Sequence, residues 1–218
     1  MSWLEFRNVC FENDGAKILR DLSVTIEEGD FISIVGQSGS GKSTFLKLCS
    51  HLISPTQGDI LFKNQSLFAY NSTELRKSIA YCFQIPYLFG DTVMENLSFP
   101  FTIRNLKFDQ ERVQELFSLF QMPQNYLNKG VKNLSGGEKQ RIALLRSLIF
   151  IPEVLLLDEV TSALDSENTA IVEKVISQYH EKGLTILWIT HNLEQSRKYA
   201  NRLLTLEAGK IKGWEVIR

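Results

Sequence analysis

The residues Gly36-Gln37-Ser38-Gly39-Ser40-Gly41-Lys42-Ser43 carry the spacing G-x-x-x-x-G-K-[ST]. Gly36, Gly39 and Gly41 let the backbone curl so that several N–H groups face one anion, at the positive end of the following helix dipole. Lys42 is spaced to reach the β- and γ-phosphates of a nucleotide, and the Ser43 hydroxyl to ligate magnesium. Gln37, Ser38, Ser40 and Thr44 complete the expected nucleotide cradle. A glycine-rich turn with no ligand is the plain alternative. Context argues against it: Phe31-Ile32-Ser33-Ile34-Val35 reads as a buried strand before the loop, and Phe45, Leu46, Leu48 and Cys49 mark the apolar face of a helix from Lys42 to about His51.

Two further stretches handle triphosphate chemistry. Val154-Leu155-Leu156-Leu157 is an apolar strand ending in Asp158-Glu159. Successive strand side chains leave on opposite faces, so the two carboxylates are expected to take different roles. Asp158 suits the magnesium shell, and Glu159 suits polarising the water that attacks the γ-phosphate; alone the stretch reads as a strand ending in solvent, and its pairing with the phosphate loop favours the functional reading. Farther upstream, Ser135-Gly136-Gly137-Glu138 fits a capping box, with Ser135 as N-cap and Glu138 reaching back. Glycines in that first turn leave N–H groups bare, which suits a helix end meant to meet an anion; a well-capped helix needing no ligand fits the spacing equally. Two anion-binding devices so far apart imply that one copy of the chain holds a nucleotide and a second copy closes over it.

The elements that must position these residues follow from hydropathy. Leu4–Val9 and Ile18–Ile26 alternate as antiparallel strands broken by Asn13-Asp14-Gly15. Ser54–Asp59 reads as a turn, and Ile60-Leu61-Phe62 as a returning strand. Prolines at 86, 100 and 123, with helical periodicity over Arg112–Phe120, point to a helical lobe inserted between two halves of a sheet domain. A helix from about Ser166 to His180, a strand over Leu184–Thr190, a last helix and a hairpin around Glu207–Lys210 finish the chain. Strands alternating with helices predict an α/β class with a largely parallel sheet. The expected organisation is one domain over 1–218, with a core at 1–84 and 146–218 and a helical subdomain at about 85–145.

Composition narrows the partners. Hydrophobic residues at 44% and charged residues at 22% are ordinary for a folded protein. A net charge of −1 offers no basic excess for a nucleic-acid backbone, so none is expected as a partner. The first residues lack a signal-peptide layout, and no apolar run reaches the roughly 18 residues needed to span a bilayer. Cys10, Cys49 and Cys82 are scattered without a C-x-x-C pair and read as small buried hydrophobes.

With these motifs in this order, the chain resembles the ABC (ATP-binding cassette) ATPases over nearly its whole length. The segment Leu134-Ser135-Gly136-Gly137-Glu138 is nearly diagnostic of them. The resemblance implies a P-loop NTPase of the ABC type: an α/β fold with a mostly parallel core, an antiparallel β subdomain and an inserted helical subdomain. ATP and magnesium are the implied cofactors. It implies that Gln84 is the loop glutamine, contributing to metal and catalysis, and that His191 is the switch histidine at the γ-phosphate. It places Ser162-Ala163-Leu164-Asp165 between subunits, and has Ser135, Gly136 and Gly137 reach nucleotide held by a second copy. Phe11 stacks on adenine by the same resemblance, although the family commonly has Tyr there and a strand hydrophobe is the rival reading. Val160 replaces a usual proline and Glu138 a common glutamine; neither removes a catalytic group.

The expected activity is ATP hydrolysis by a head-to-tail dimer that drives transport through a separate integral-membrane permease, from the cytoplasmic face of a bacterial membrane. The stretches Ile85–Phe101, Val160–Asp165 and Leu187–His191 look most like small bacterial ATPases of iron-export systems. Tyr87, Leu88 and Phe89 are the expected docking residues, with core packing of the helical lobe as the rival reading. The alternatives are a soluble ABC ATPase powering assembly or envelope force transmission, and a nucleotide-sensing module that does not hydrolyse.

Overall fold

A computed structural model describes residues 2–217. In chain order the elements are β1 (Ser2–Asn13), β2 (Ala16–Glu27), β3 (Phe31–Val35), α1 (Lys42–Cys49), β4 (Gln57–Phe62), β5 (Gln65–Ser66), α2 (Ser72–Ser78), β6 (Ile79–Cys82), α3 (Val93–Thr102), α4 (Gln110–Leu119), α5 (Gly136–Leu148), β7 (Val154–Asp158), α6 (Ser166–Glu181), β8 (Thr185–Ile189), α7 (Leu193–Tyr199), β9 (Arg202–Glu207) and β10 (Lys210–Val216). They form two compact units. One comprises the stretch up to Tyr81, Glu153–Glu159 and the chain from His180 on; the other comprises Cys82–Pro152 and Val160–Tyr179.

The first unit holds two sheets. The antiparallel sheet has the order β2-β1-β4-β5, and the six-stranded sheet the order β10-β9-β3-β8-β7-β6. The β1–β2 connection is a tight hairpin because Asp14 (φ 49°) and Gly15 (φ 76°) both take the left-handed conformation that matches strand twist. β4 starts at Gln57, earlier than its polar, turn-like sequence suggests, and pairs Gln57 with Cys10 and Asp59 with Arg7. Gly58 explains the difference: a Cβ there would lie 2.4 Å from the Asn8 carbonyl and 2.5 Å from that of Arg7, so only glycine lets the strands approach.

In the larger sheet β3 pairs in parallel with both β8 and β9, and β7 in parallel with β8. The residues of β3, β7 and β8 are apolar nearly throughout and buried, as strands covered on both faces must be, while β9 buries only Leu204 and Leu206. Because β7, β8 and β3 are neighbours running the same way, the loops leaving their carboxyl ends lie side by side, where ligands of open α/β sheets are held. One apolar cluster joins both sheets to α1, and the Phe45 ring stacks on Phe6 with centroids 4.6 Å apart.

The second unit is helical. Its buried side chains include Val93, Leu97 and Phe101 of α3, Val113, Leu116 and Phe117 of α4, and Ile142, Leu145 and Leu148 of α5. Arg112 ties the end of α5 in place, its guanidinium donating to the carbonyls of Leu148 at 2.8 Å and Ile149 at 3.1 Å. The sequence-based insert at about 85–145 would cut α5, which runs unbroken to Leu148; the unit also takes in 160–179. Cys49 and Cys82 are buried, and burial pushes the Cys82 thiol up to about 11, so these are packing groups rather than reactive ones.

Candidate functional site

The phosphate loop leaves β3 and closes into α1 through glycines that cannot be replaced. Gly36 (φ 150°) would place a Cβ 2.1 Å from the Leu206 carbonyl, and Gly41 (φ 100°) one 2.5 Å from the Leu19 side chain. Gly41 is the N-cap of α1 and offers no side chain to its first-turn amides, which leaves them for an anion. Lys42 is 6% exposed and folds across the loop, donating to the carbonyls of Gly36 at 2.9 Å and Gln37 at 3.0 Å. Gln37, Ser38 and Gly39 form the exposed rim, while Ser40 is buried.

Asp158 and Glu159 part company as expected, though the cause is not the strand pleat alone. Asp158 ends β7, and its Oδ1 accepts from Ser43 Oγ at 3.0 Å. Glu159 lies beyond the strand with φ 49°, a left-handed backbone that costs a non-glycine residue roughly 1–3 kcal/mol. That turn sends its carboxylate to His191, whose Nε2 is 2.9 Å from Glu159 Oε1. A strained residue at the end of a buried strand, holding a carboxylate against an imidazole, is suited to orienting a water for attack.

His191 is set by side chains the sequence reading passed over. Thr190 Oγ1 donates to Gln195 Oε1 and accepts the Asn192 amide at 3.1 Å. Asn192 then caps α7 through the amides of Glu194 at 2.9 Å and Gln195 at 3.1 Å. The signal was available, since Asn before Leu193-Glu194 is an N-cap pattern. Phe11 is half-buried on β1, packed against the core cluster.

Ser43 and Asp158 fit magnesium chemically: a hydroxyl and a carboxylate 3.0 Å apart are hard oxygen donors, and magnesium takes few protein carboxylates beside phosphate oxygens. No group of three or more His, Cys, Asp and Glu able to hold a metal by itself occurs among the described residues.

The other candidates lie in the helical unit. Gln84 is exposed. Ser135 caps α5 in a complete capping box, its Oγ accepting the Glu138 amide at 3.2 Å while Glu138 Oε2 accepts the Ser135 amide at 2.7 Å. Glu138 also accepts from Tyr126 Oη at 2.7 Å and Lys129 Nζ at 3.2 Å. Burial works to raise its pKa, but the Tyr126 hydroxyl, the Ser135 amide and Lys129 outweigh it and hold the carboxyl down at about 2. A Cβ on Gly136 would meet nothing within 4 Å, whereas one on Gly137 would touch Leu164 and Asn168.

The apolar stretch after Gln84 divides in two. Ile85 is 80% and Tyr87 71% exposed. Leu88 and Phe89, grouped with Tyr87 by the sequence, are not comparably exposed. Phe89 packs edge-on to Phe99 at 5.1 Å, and Asn96 exchanges hydrogen bonds with its backbone at 3.1 and 2.7 Å. No helix among the described residues is long and apolar enough to cross a membrane.

The ABC transporter family model matches residues 19–162. Over 212 residues the chain is 42% identical to the "Probable iron export ATP-binding protein FetA" of Escherichia coli (strain K12), covering 96% of this chain and 94% of that one. It is 35% identical over 200 residues to ABC transporter I family member 17 of Arabidopsis thaliana, with coverages of 91% and 76%. A solved dimeric structure of the ATP-binding cassette MJ0796, in a post-hydrolysis state bound to ADP and Pi, matches with a TM-score of 0.88 at 29% identity over 99% of each chain.

The depressed pKa of Glu138 makes a pH-dependent contribution to stability. A carboxyl lowered from 4.5 to about 2 stabilises the folded state fully above the upper value and loses that contribution as pH falls toward the lower one. Glu138→Gln keeps the reach and removes the charge. The gap in urea midpoint between wild type and Glu138→Gln is therefore expected to be present at neutral pH and to shrink as the solution is acidified from pH 4.5 toward 2; a gap that does not change with pH contradicts this account.

Proposed function

The chain belongs to the ABC transporter family of ATP-hydrolysing cassettes, and we propose that it works as a head-to-tail dimer driving transport through a separate membrane permease. The observation that carries the reading is the placement of Lys42, Ser43, Asp158, Glu159 and His191 around adjoining strand ends of one unit. The signature residues Ser135 and Gly136 are exposed on the other. The dimeric cassette bound to ADP and Pi supports the same arrangement.

In this reading the loop amides and Lys42 take the β- and γ-phosphates, Lys42 exchanging the carbonyls of Gly36 and Gln37 for phosphate oxygens. Ser43 and Asp158 hold magnesium, with Gln84 contributing, and bound magnesium supplies positive charge to the phosphoryl oxygens. Glu159 orients the attacking water, and His191 fixes the Glu159 carboxylate and reaches the γ-phosphate. Phe11 stacks on adenine. Ser135, Gly136 and Gly137 of a second copy close over the nucleotide, with Ser162–Asp165 along the seam. Because ATP then bridges both copies, its binding favours the closed dimer and its cleavage reopens it. Ile85 and Tyr87, apolar and exposed, dock a cytoplasmic helix of the permease. The likeness to FetA supports iron as cargo. Nucleic acid has no part, and the protein works at the cytoplasmic face of the membrane.

Glu159→Gln is expected to lower phosphate release about 100-fold or more while ATP binding persists, and to leave an ATP-bound dimer visible by light scattering. Unchanged turnover removes Glu159 from its role. Gly136→Val has free space within its own chain, so its melting temperature should match wild type while ATPase activity and ATP-dependent dimerisation are lost; a fully active Gly136→Val protein would contradict the composite site. In vesicles containing the permease, wild type should drive ATP-dependent iron movement and Tyr87→Asp should lose both pull-down and transport. Wild-type vesicles that hydrolyse ATP without moving iron would withdraw the cargo, and undiminished capture by Tyr87→Asp would withdraw the docking residue.

A further inference from the structure

Asp158 is held from two sides, and only one of them is the phosphate loop. Tyr81, at the end of β6, donates its hydroxyl to Asp158 Oδ2 at 2.6 Å, while Ser43 Oγ donates to Oδ1 at 3.0 Å. We propose that Tyr81 is a positioning residue for the metal carboxylate, fixing which Asp158 oxygen is presented beside Ser43; this rests on Asp158 being the protein carboxylate of the magnesium site.

The chemistry fixes the direction of the bond. An ionised carboxylate only accepts, so the phenol proton lies toward Asp158. A separation of 2.6 Å falls in the short, charge-assisted class of O–H···O⁻ bonds. Asp158 is 6% exposed, so water competes little for its oxygens and the bond acts in a low local dielectric. The Tyr81 ring is partly buried against the core cluster of the first unit, so packing sets where its hydroxyl sits. With Oδ2 tied to that fixed point, rotation of the carboxylate is restricted and Oδ1 keeps facing the Ser43 hydroxyl. Magnesium demands near-ideal octahedral geometry, and a site with few protein ligands depends heavily on the orientation of each. Partners of this outer kind typically change metal affinity about 10- to 100-fold when removed.

Tyr81→Phe keeps the ring and deletes the proton donor. Manganese serves as a paramagnetic probe for magnesium: free Mn2+ is followed by electron paramagnetic resonance as it is titrated into the full chain with ADP. Tyr81→Phe is expected to bind Mn2+ about tenfold more weakly, with its melting temperature and its affinity for fluorescent ADP in EDTA unchanged. Asp158→Asn is measured alongside and should lose Mn2+ at least as severely. If Asp158→Asn binds Mn2+ like wild type, the metal reading of Asp158 fails and the proposal falls with it. If Asp158→Asn weakens binding and Tyr81→Phe does not, the proposal alone is overturned. A Tyr81→Phe protein that loses ADP equally with and without metal, or does not fold, identifies Tyr81 as a structural prop and overturns it too.

Discussion

An ammonium group taken out of water needs acceptors around it, and Lys42 is almost wholly enclosed. The carbonyls of Gly36 and Gln37 meet that need, which obliges the chain to curl back over itself between β3 and α1. Such a curl requires left-handed backbone at Gly39 and Gly41. It also requires bare α-carbons where the loop meets its walls, against the Leu206 carbonyl of β9 and the Leu19 side chain of β2. The turn between β9 and β10 closes the enclosure, with the Gly209 amide donating to the Ser40 carbonyl at 3.2 Å and its carbonyl accepting the Arg20 amide at 2.8 Å. Strands distant in sequence are thus organised around one buried cation and the loop that holds it.

Strand order then does for the rest of the site what the loop does for the phosphates. With β7 beside β8 and β8 beside β3, all parallel, Asp158, His191 and the phosphate loop emerge from neighbouring carboxyl ends. Asp158 is opposite Ile189 in the ladder, which brings the residue after β7 near the segment after β8; the Glu159 amide donates to the Ile189 carbonyl at 3.1 Å. The left-handed Glu159 is strain tolerated where both its amide and its carboxylate have partners.

What could be read from the sequence was local in origin. The phosphate loop, the buried strands and the capping box at Ser135 each depend on residues a few positions apart, and each was legible. Contacts made at long range were not. Tyr81 carries no mark of its role in the sequence, because its partner Asp158 is 77 positions away. The polar run Gln57-Gly58-Asp59 reads as a loop because the strand it joins shows its need for glycine only in three dimensions. Tyr87, Leu88 and Phe89 look alike as apolar letters, yet Asn96 and Arg146 pull the backbone around them into a shape that exposes Tyr87 and packs Phe89. The expected end of the helical lobe at about 145 falls inside α5, which continues to Leu148.

The two helix ends that face anions in the proposed site solve the same electrostatic problem differently. α1 begins at Gly41 with no side-chain cap, so its first-turn amides depend on the loop for their order and remain available to phosphate. α5 begins at Ser135 with a full capping box, and the Glu138 carboxylate is further fixed by Tyr126 and Lys129. That frame satisfies the Glu138 amide within the chain and leaves the turn at Gly136 and Gly137 shaped before any nucleotide arrives. In the proposed dimer such preorganisation would help this turn meet a phosphate bound to another copy, since ordering it at the moment of contact would subtract from the attraction between the copies. The acidic residue at position 138 fits this logic: its charge is compensated by its own neighbours, so the signature helix can carry a carboxylate in its first turn and still present its glycine amides to an anion.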